Sequence, residues 1–247
     1  MNKLLRCTAF SSLSLCFPLA SALHAASVTA PYVNDFSTSV ADFTENNDPN
    51  WSLEAGDTYQ FFTSGSNYAG SAMVTATGFG ATYEDFVVST TFTVTSKASG
   101  GTFNWGMALL GNDEDPGTYI LADLSSDGSF RLINVGGSGT SLDVDESGSF
   151  SYALNTSYTL TATGTYSGSN LTLKLDISNG VISNSITAAA FDASTHYTGA
   201  AMGLRSRSGS GGGTTVQYDS FSIVPEPSSY ALMAGACMLG FVMLRRR

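Results

Sequence analysis

From Asn170 to Ser178 the chain alternates without a break: Leu171, Leu173, Leu175 and Ile177 fall on one phase, Thr172, Lys174 and Asp176 on the other. Successive strand side chains point to opposite faces, so this pattern specifies a strand with one buried and one wet side. Residues 157–166 repeat it, with Tyr158, Leu160 and Ala162 opposed to Thr159, Thr161, Thr163 and Thr165. Ser167, Gly168, Ser169 and Asn170 between them are turn formers, and the pair reads as a hairpin. Residues 84–96 form a third such segment, in which Phe86, Val88, Phe92 and Val94 share a face. Less regular strands are expected at 51–54, 58–63, 71–75, 102–110, 118–124, 129–135, 181–188, 200–205 and 214–223. No stretch between residues 27 and 224 sustains a 3.6-residue period. That many short strands exceed what one open sheet can keep covered, so the expectation is all-β, with two antiparallel sheets packed face to face.

The two ends read differently from the middle. Lys3 and Arg6 precede an apolar, small-residue stretch over 9–22, the order of a secretory signal peptide. Ala20, Ser21 and Ala22, or Ala25 and Ala26 just after, offer cleavage sites, so residues 1–26 are expected to be a leader removed by signal peptidase. At the other end Pro225, Glu226 and Pro227 form an extended segment, because each proline fixes φ and lacks a donor. The apolar run 230–244 would reach roughly 22 Å as a helix, against a bilayer core of about 30 Å, which makes it a single short transmembrane helix. Arg245, Arg246 and Arg247 then stop it on the cytoplasmic side. This order of motif, short helix and arginines resembles the PEP-CTERM sorting tail of bacterial envelope proteins. The resemblance implies recognition and processing of residues 224–247 by an exosortase-type enzyme. It also implies a chain held at the inner membrane facing the periplasm before processing, and at the cell surface or in extracellular matrix afterwards. A plain permanent tail anchor is the alternative.

Cys7, Cys16 and Cys237 all lie in these end segments, so the 198 residues from 27 to 224 contain no cysteine and must be held by core burial alone. In that segment five cations (Lys97, Arg131, Lys174, Arg205, Arg207) meet nineteen carboxylates, a formal charge of −14. Such a charge disfavours nucleic acid and other polyanions.

The early Asn34-Asp35-Phe36 strand, the pair around Trp105 to Leu109 and Gly117 to Leu121, and the late segments Gly203 to Ser206 and Tyr218 to Phe221 resemble the strand order of concanavalin A-like jelly rolls. That group includes laminin-G-like modules, lectins and glucanases, so residues 27–223 are expected to be one jelly-roll sandwich. An immunoglobulin-like sandwich is the second choice, and the segment is about twice its length. The resemblance does not extend to catalysis. Laminarinase-type members carry an E-x-D-x-x-E strand, whereas Glu45, Glu54, Glu84, Glu114 and Glu146 are followed two residues on by Asn47, Gly56, Phe86, Pro116 and Gly148. His196 is the one histidine outside the leader, in a polar loop, and the glycine run 209–213 lacks the ending of a phosphate loop and reads as a flexible hairpin turn. The chain is therefore expected not to be an enzyme.

Two kinds of binding residue stand out. Asp113 and Asp115 lie in an acidic loop able to offer oxygen ligands to a structural calcium ion. Asp35 with Asp219 is a second candidate pair, implied by the jelly-roll resemblance. Trp51, Tyr59, Trp105 and Tyr119 can stack on the C–H face of a sugar if exposed, the competing reading for each being a place in the core. The expectation is thus an exported, non-catalytic sandwich that binds a neutral or weakly charged polysaccharide. The alternatives are a divergent glycoside hydrolase or lyase, and a purely structural envelope protein.

Overall fold

The computed structural model describes residues 27–46, 50–77, 84–111, 119–135, 145–194 and 199–225. The leader, the acidic loops holding Asp113 and Asp115, His196 and the apolar tail lie outside them. Among the described residues every regular element is a strand: β1 (Ser27–Thr29), β2 (Tyr32–Asn34), β3 (Thr44–Asn46), β4 (Trp51–Glu54), β5 (Thr58–Thr63), β6 (Ala69–Thr77), β7 (Phe86–Lys97), β8 (Asn104–Gly111), β9 (Tyr119–Ser125), β10 (Ser129–Val135), β11 (Asp145–Ser149), β12 (Ser157–Ser167), β13 (Asn170–Ser178), β14 (Ser183–Thr187), β15 (Phe191–Asp192), β16 (Ala201–Arg207) and β17 (Thr214–Pro225). They form two sheets. Sheet A runs β1-β6-β16-β8-β9-β10-β11 with β3 also on β6, and sheet B runs β14-β13-β12-β7-β17-β5-β4 with β15 on β13 and β2 on β17.

The alternation seen in sequence decides which side of each strand faces in. Leu171, Leu173, Leu175 and Ile177 of β13 and Tyr158, Leu160 and Ala162 of β12 are buried, as are Phe86, Val88, Phe92 and Val94 of β7. From sheet A come Trp105, Met107 and Leu109 of β8, Ile120, Ala122 and Leu124 of β9, and Phe130 and Leu132 of β10. All belong to one core between the sheets.

Three expectations need correction. One pairing is parallel, because β1 runs alongside β6 with Val28 beside Ala76. The early strand ends at Asn34 rather than running through Phe36. The Asn34 side chain accepts the Phe36 amide at 2.7 Å, Phe36 turns left-handed (φ 58°), and its ring drops into the core against Phe43 and Tyr59. The glycine run 209–213 is a packed crossover, since β16 belongs to sheet A and β17 to sheet B. A side chain at Gly213 would overlap the Thr63 carbonyl oxygen.

Glycines inside sheet A serve the same close approach. A Cβ on Gly106 would overlap the Ala122 carbonyl oxygen across the β8–β9 ladder, and one on Gly203 the Ala72 carbonyl oxygen across β16–β6. Gly106→Ala is therefore expected to lower the unfolding free energy by about 1–3 kcal/mol. Gly65→Ala, whose Cβ would make an ordinary contact 3.5 Å from Thr63 Oγ1, is expected to change little. Urea midpoints of the two variants check this, and equal midpoints would contradict the crowding.

Candidate functional site

The outward phase of sheet A is not simply wet. Tyr119, Leu121 and Asp123 of β9 stand opposite Val135, Ile133 and Arg131 of β10. Across the other edge of β9, Asp123 stands opposite Gly106 of β8, and β8 in turn places Gly106 opposite Arg205 and Asn104 opposite Arg207 of β16. Residues directly opposite each other share a face. Asn104, Tyr119, Leu121, Arg131, Ile133, Val135, Arg205 and Arg207 line a groove of about 160 Å³ on that face. Its floor belongs to a small apolar cluster of Met73, Ala108, Tyr119, Leu121 and Ala201, against which Ile133 and Val135 pack.

Polar groups in the groove are held at fixed angles. Arg131 donates from Nε to Asp123 Oδ1 at 2.9 Å and from Nη2 to Oδ2 at 2.6 Å. Asp123 is fully buried, and burial pushes its carboxyl up while the Arg131 fork pulls it back. A two-pronged, charge-assisted contact is what makes a carboxylate tolerable there. Arg205 donates from Nε to the Tyr119 hydroxyl at 3.1 Å and from Nη1 to the Gly70 carbonyl at 2.9 Å, fixing the phenol and its own guanidinium together. Asn104 is 8% exposed, and its Nδ2 has no hydrogen-bond partner among the described residues. Leaving such a donor unmade costs about 1–3 kcal/mol.

The groove also gathers charge. Arg131, Arg205 and Arg207 are all the arginines between residues 27 and 224. The two lysines are used elsewhere: Lys97 sits 5.5 Å above the Phe103 ring, and Lys174 pairs with Asp176 at 2.8 Å on sheet B. None of the three arginines, nor Asn104, was singled out from sequence. The signal was there in the outward phase of β16, where Arg205 and Arg207 are two residues apart, and of β10, where Arg131 leads Ile133 and Val135. Only the ladder brings those phases together.

Of the aromatic candidates, Tyr119 alone reaches the groove. Trp51, Tyr59 and Trp105 take the core place that was the other reading of each. Trp51 packs 5.0 Å from Tyr59 and 5.1 Å from Phe61, and Trp105 stacks on Tyr152 at 5.2 Å, so their faces are covered. Asp35 is exposed and turned onto its own loop: the Ser37 hydroxyl and amide donate to Oδ1 at 2.7 and 3.1 Å and hold the carboxyl below its usual range. Asp219 is the extra residue of a β-bulge, between Tyr218 opposite Phe92 and Ser220 opposite Thr91. The β2–β17 ladder stops at Asn34 opposite Phe221, so Asp35 and Asp219 both lie just beyond its end. No group of three or more His, Cys, Asp or Glu side chains suited to a metal ion occurs among the described residues. Pro225 closes β17 opposite Phe86, while Glu226, Pro227 and Arg245, Arg246 and Arg247 lie outside the described residues, as do Asp113 and Asp115.

Burial raises the Asp219 carboxyl above its usual range. A raised carboxylate pKa means the fold prefers the protonated form, so this residue costs stability once pH rises past the unfolded carboxylate value of about 3.9. Asp219→Asn is expected to raise the melting temperature at pH 7, with the gain vanishing near pH 3. If Asp219 instead holds calcium, the variant loses a calcium-dependent increment, which melting with and without chelator reveals.

Comparison with known proteins agrees with this architecture. The PEP-CTERM protein-sorting motif matches residues 224–247. The carbohydrate recognition domain of Emp47p superposes with a TM-score of 0.53 at 16% identity, covering 79% of this chain and 96% of that domain. The seed lectin of Lotus tetragonolobus gives 0.54 at 11% identity, covering 79% and 99%. The basic winged bean lectin, solved with Tn-antigen, gives 0.53 at 9%, covering 79% and 98%. At these identities the likeness is one of fold. A comparison with curated protein sequences gives no match. The chain thus has a two-sheet β-sandwich fold similar to that of these lectin domains. It ends in a PEP-CTERM sorting motif, which implies an exported chain processed by an exosortase.

Proposed function

We propose that the protein is an exported component of the cell envelope or extracellular matrix whose sandwich, residues 27–223, binds glycan on the outer face of sheet A without cleaving it. On this reading signal peptidase removes residues 1–26. The tail then holds the chain at the inner membrane, facing the periplasm, until the exosortase acts, after which it reaches the surface or matrix. The observation that carries the reading is the groove itself. It offers an apolar floor, a phenol fixed by Arg205 and arginine donors, on the kind of scaffold that lectins share. Asp123, the carboxylate that β9 places on this face, is locked to Arg131. Glycoside hydrolysis by two carboxylates needs both to be available about 5–9.5 Å apart, and one spent on Arg131 is not, which favours binding over cleavage. Calcium retained by Asp113 and Asp115, or by Asp35 and Asp219, would act by ordering loops near the sandwich rather than by chemistry.

The protein should be retained on at least one immobilised polysaccharide, with no new reducing ends, in a panel run with and without chelator. Reducing-end release that survives purification and disappears in Asp123→Asn would establish an enzyme instead. Retention on no glycan would leave the structural-material reading.

The tail is tested separately. Pro225 is the last ladder residue of β17, so the motif starts where the sandwich stops. Replacing Pro225, Glu226 and Pro227 by alanine is expected to leave export intact and to accumulate a longer, membrane-held species in the native host, read by fractionation and intact mass. Identical products from wild type and variant would point to a plain anchor.

A further inference from the structure

We infer that the groove on sheet A takes the carboxylate of an acidic sugar, a uronic acid residue set singly in an otherwise neutral glycan. This rests on the glycan-binding reading and names the ligand class for it. The unspent hydrogen-bonding capacity of the groove is donor capacity. Asn104 Nδ2 is buried, with no hydrogen-bond partner among the described residues. Arg205 spends Nε on Tyr119 and Nη1 on the Gly70 and Ser206 carbonyls, which leaves Nη2 without a partner among the described residues. Arg207 makes no ion pair among the described residues. The Tyr119 hydroxyl accepts from Arg205, so its own proton is available to donate. What is missing is an acceptor with negative charge, and a carboxylate meets a guanidinium with two parallel bonds.

The floor decides between a bare anion and a sugar. Leu121, Ile133 and Val135 are apolar and lie beside the donors. A phosphate or sulfate ion gains nothing from such a surface, whereas a pyranose presents C–H groups on one face and its carboxylate on the rim. The volume of about 160 Å³ lies below the range of about 300–1,000 Å³ typical of drug-sized pockets, so it suits one ring rather than a run of charged rings. The formal charge of −14 over residues 27–224 works in the same direction, because it repels a dense polyanion while Arg205 and Arg207 attract one isolated carboxylate.

The test is calorimetric titration of the full-length chain in mild detergent with a neutral oligoglucan, the same oligomer carrying one glucuronate, that oligomer after carboxyl reduction, and sodium acetate. The glucuronate oligomer is expected to bind about tenfold to a hundredfold tighter than its carboxyl-reduced form. Arg207→Gln, a change at an exposed side chain, is expected to erase that preference and leave the affinity for the neutral oligomer in place. Lys174→Gln, on sheet B, is expected to leave every affinity unchanged. Equal binding of the charged and reduced oligomers, or a preference that persists in Arg207→Gln, would overturn the acidic-sugar inference while glycan binding stands. Acetate binding as tightly as the glucuronate oligomer would overturn it in favour of a bare carboxylate site. Failure to bind any of the sugars would remove the glycan reading itself.

Discussion

The structure depends on the contact between the two sheets, which no covalent bond reinforces because residues 27–224 contain no cysteine. Apolar burial supplies most of the driving force, and a few buried hydrogen bonds set how one sheet lies on the other. Trp105 on sheet A donates from Nε1 to Thr214 Oγ1 on sheet B at 3.2 Å, and Ser206 on sheet A meets the Tyr218 hydroxyl on sheet B at 2.7 Å. Tyr218 also donates to the Arg205 carbonyl at 3.0 Å. These bonds sit on β8, β16 and β17, so the core that aligns the sheets also fixes the backbone carrying Arg205 and Arg207 outward. A large core substitution such as Phe36→Ala costs about 3–5 kcal/mol in comparable sites, which is a large part of the stability of any domain this size. The same substitution would blur the groove through the backbone, without touching it.

The two outer faces have the same strand geometry and opposite chemistry. On sheet B, hydroxyls satisfy one another: Thr91 with Thr159 at 3.0 Å, Ser89 with Thr161 at 3.1 Å, and Ser96 with Thr215 at 2.8 Å. Cross-strand Thr and Ser pairs of this kind stabilise a sheet and leave little unmet. On sheet A the corresponding positions hold arginines, an amide and branched apolar side chains around a hollow. Stability alone does not ask for a buried, unpartnered Asn104 donor, and real proteins tolerate such groups where function uses them. That asymmetry is the reason to place recognition on sheet A.

How legible this was in the sequence differs strand by strand. β13 is bounded as alternation predicts, since one face is apolar and the other polar, while β10 keeps its expected bounds although its outward face carries Ile133 and Val135 beside Arg131. β8 and β9 are buried on both faces, so their pattern carries no phase, and the outward role of Tyr119 and Asn104 could not be separated from the inward role of Trp105. Asp35 was misplaced because a local rule won: Asn34 and Asp35 side chains cap the following amides and break the strand. The short strands β3, β11 and β15 have no pattern long enough to read. The groove was invisible for a topological reason, because it joins β8, β9, β10 and β16, and β16 reaches its place beside β8 from about a hundred residues away in the chain.

Net charge shows the same separation between chain and site. Counted along the sequence, fourteen excess negative charges between residues 27 and 224 argue against any anionic partner. That count describes the charge of the whole surface, while at physiological salt a bound group feels mainly the charges within one Debye length, about 8 Å. Among the described side chains the groove lining brings three guanidinium groups, and the buried carboxylate beside it, Asp123, is paired with Arg131. A dense polyanion must bring most of its charges through the outer field, while a single carboxylate on a neutral chain meets mainly the inner one. On the proposed reading, an acidic surface around a basic groove would select ligands by how many charges they carry and not by whether they carry any.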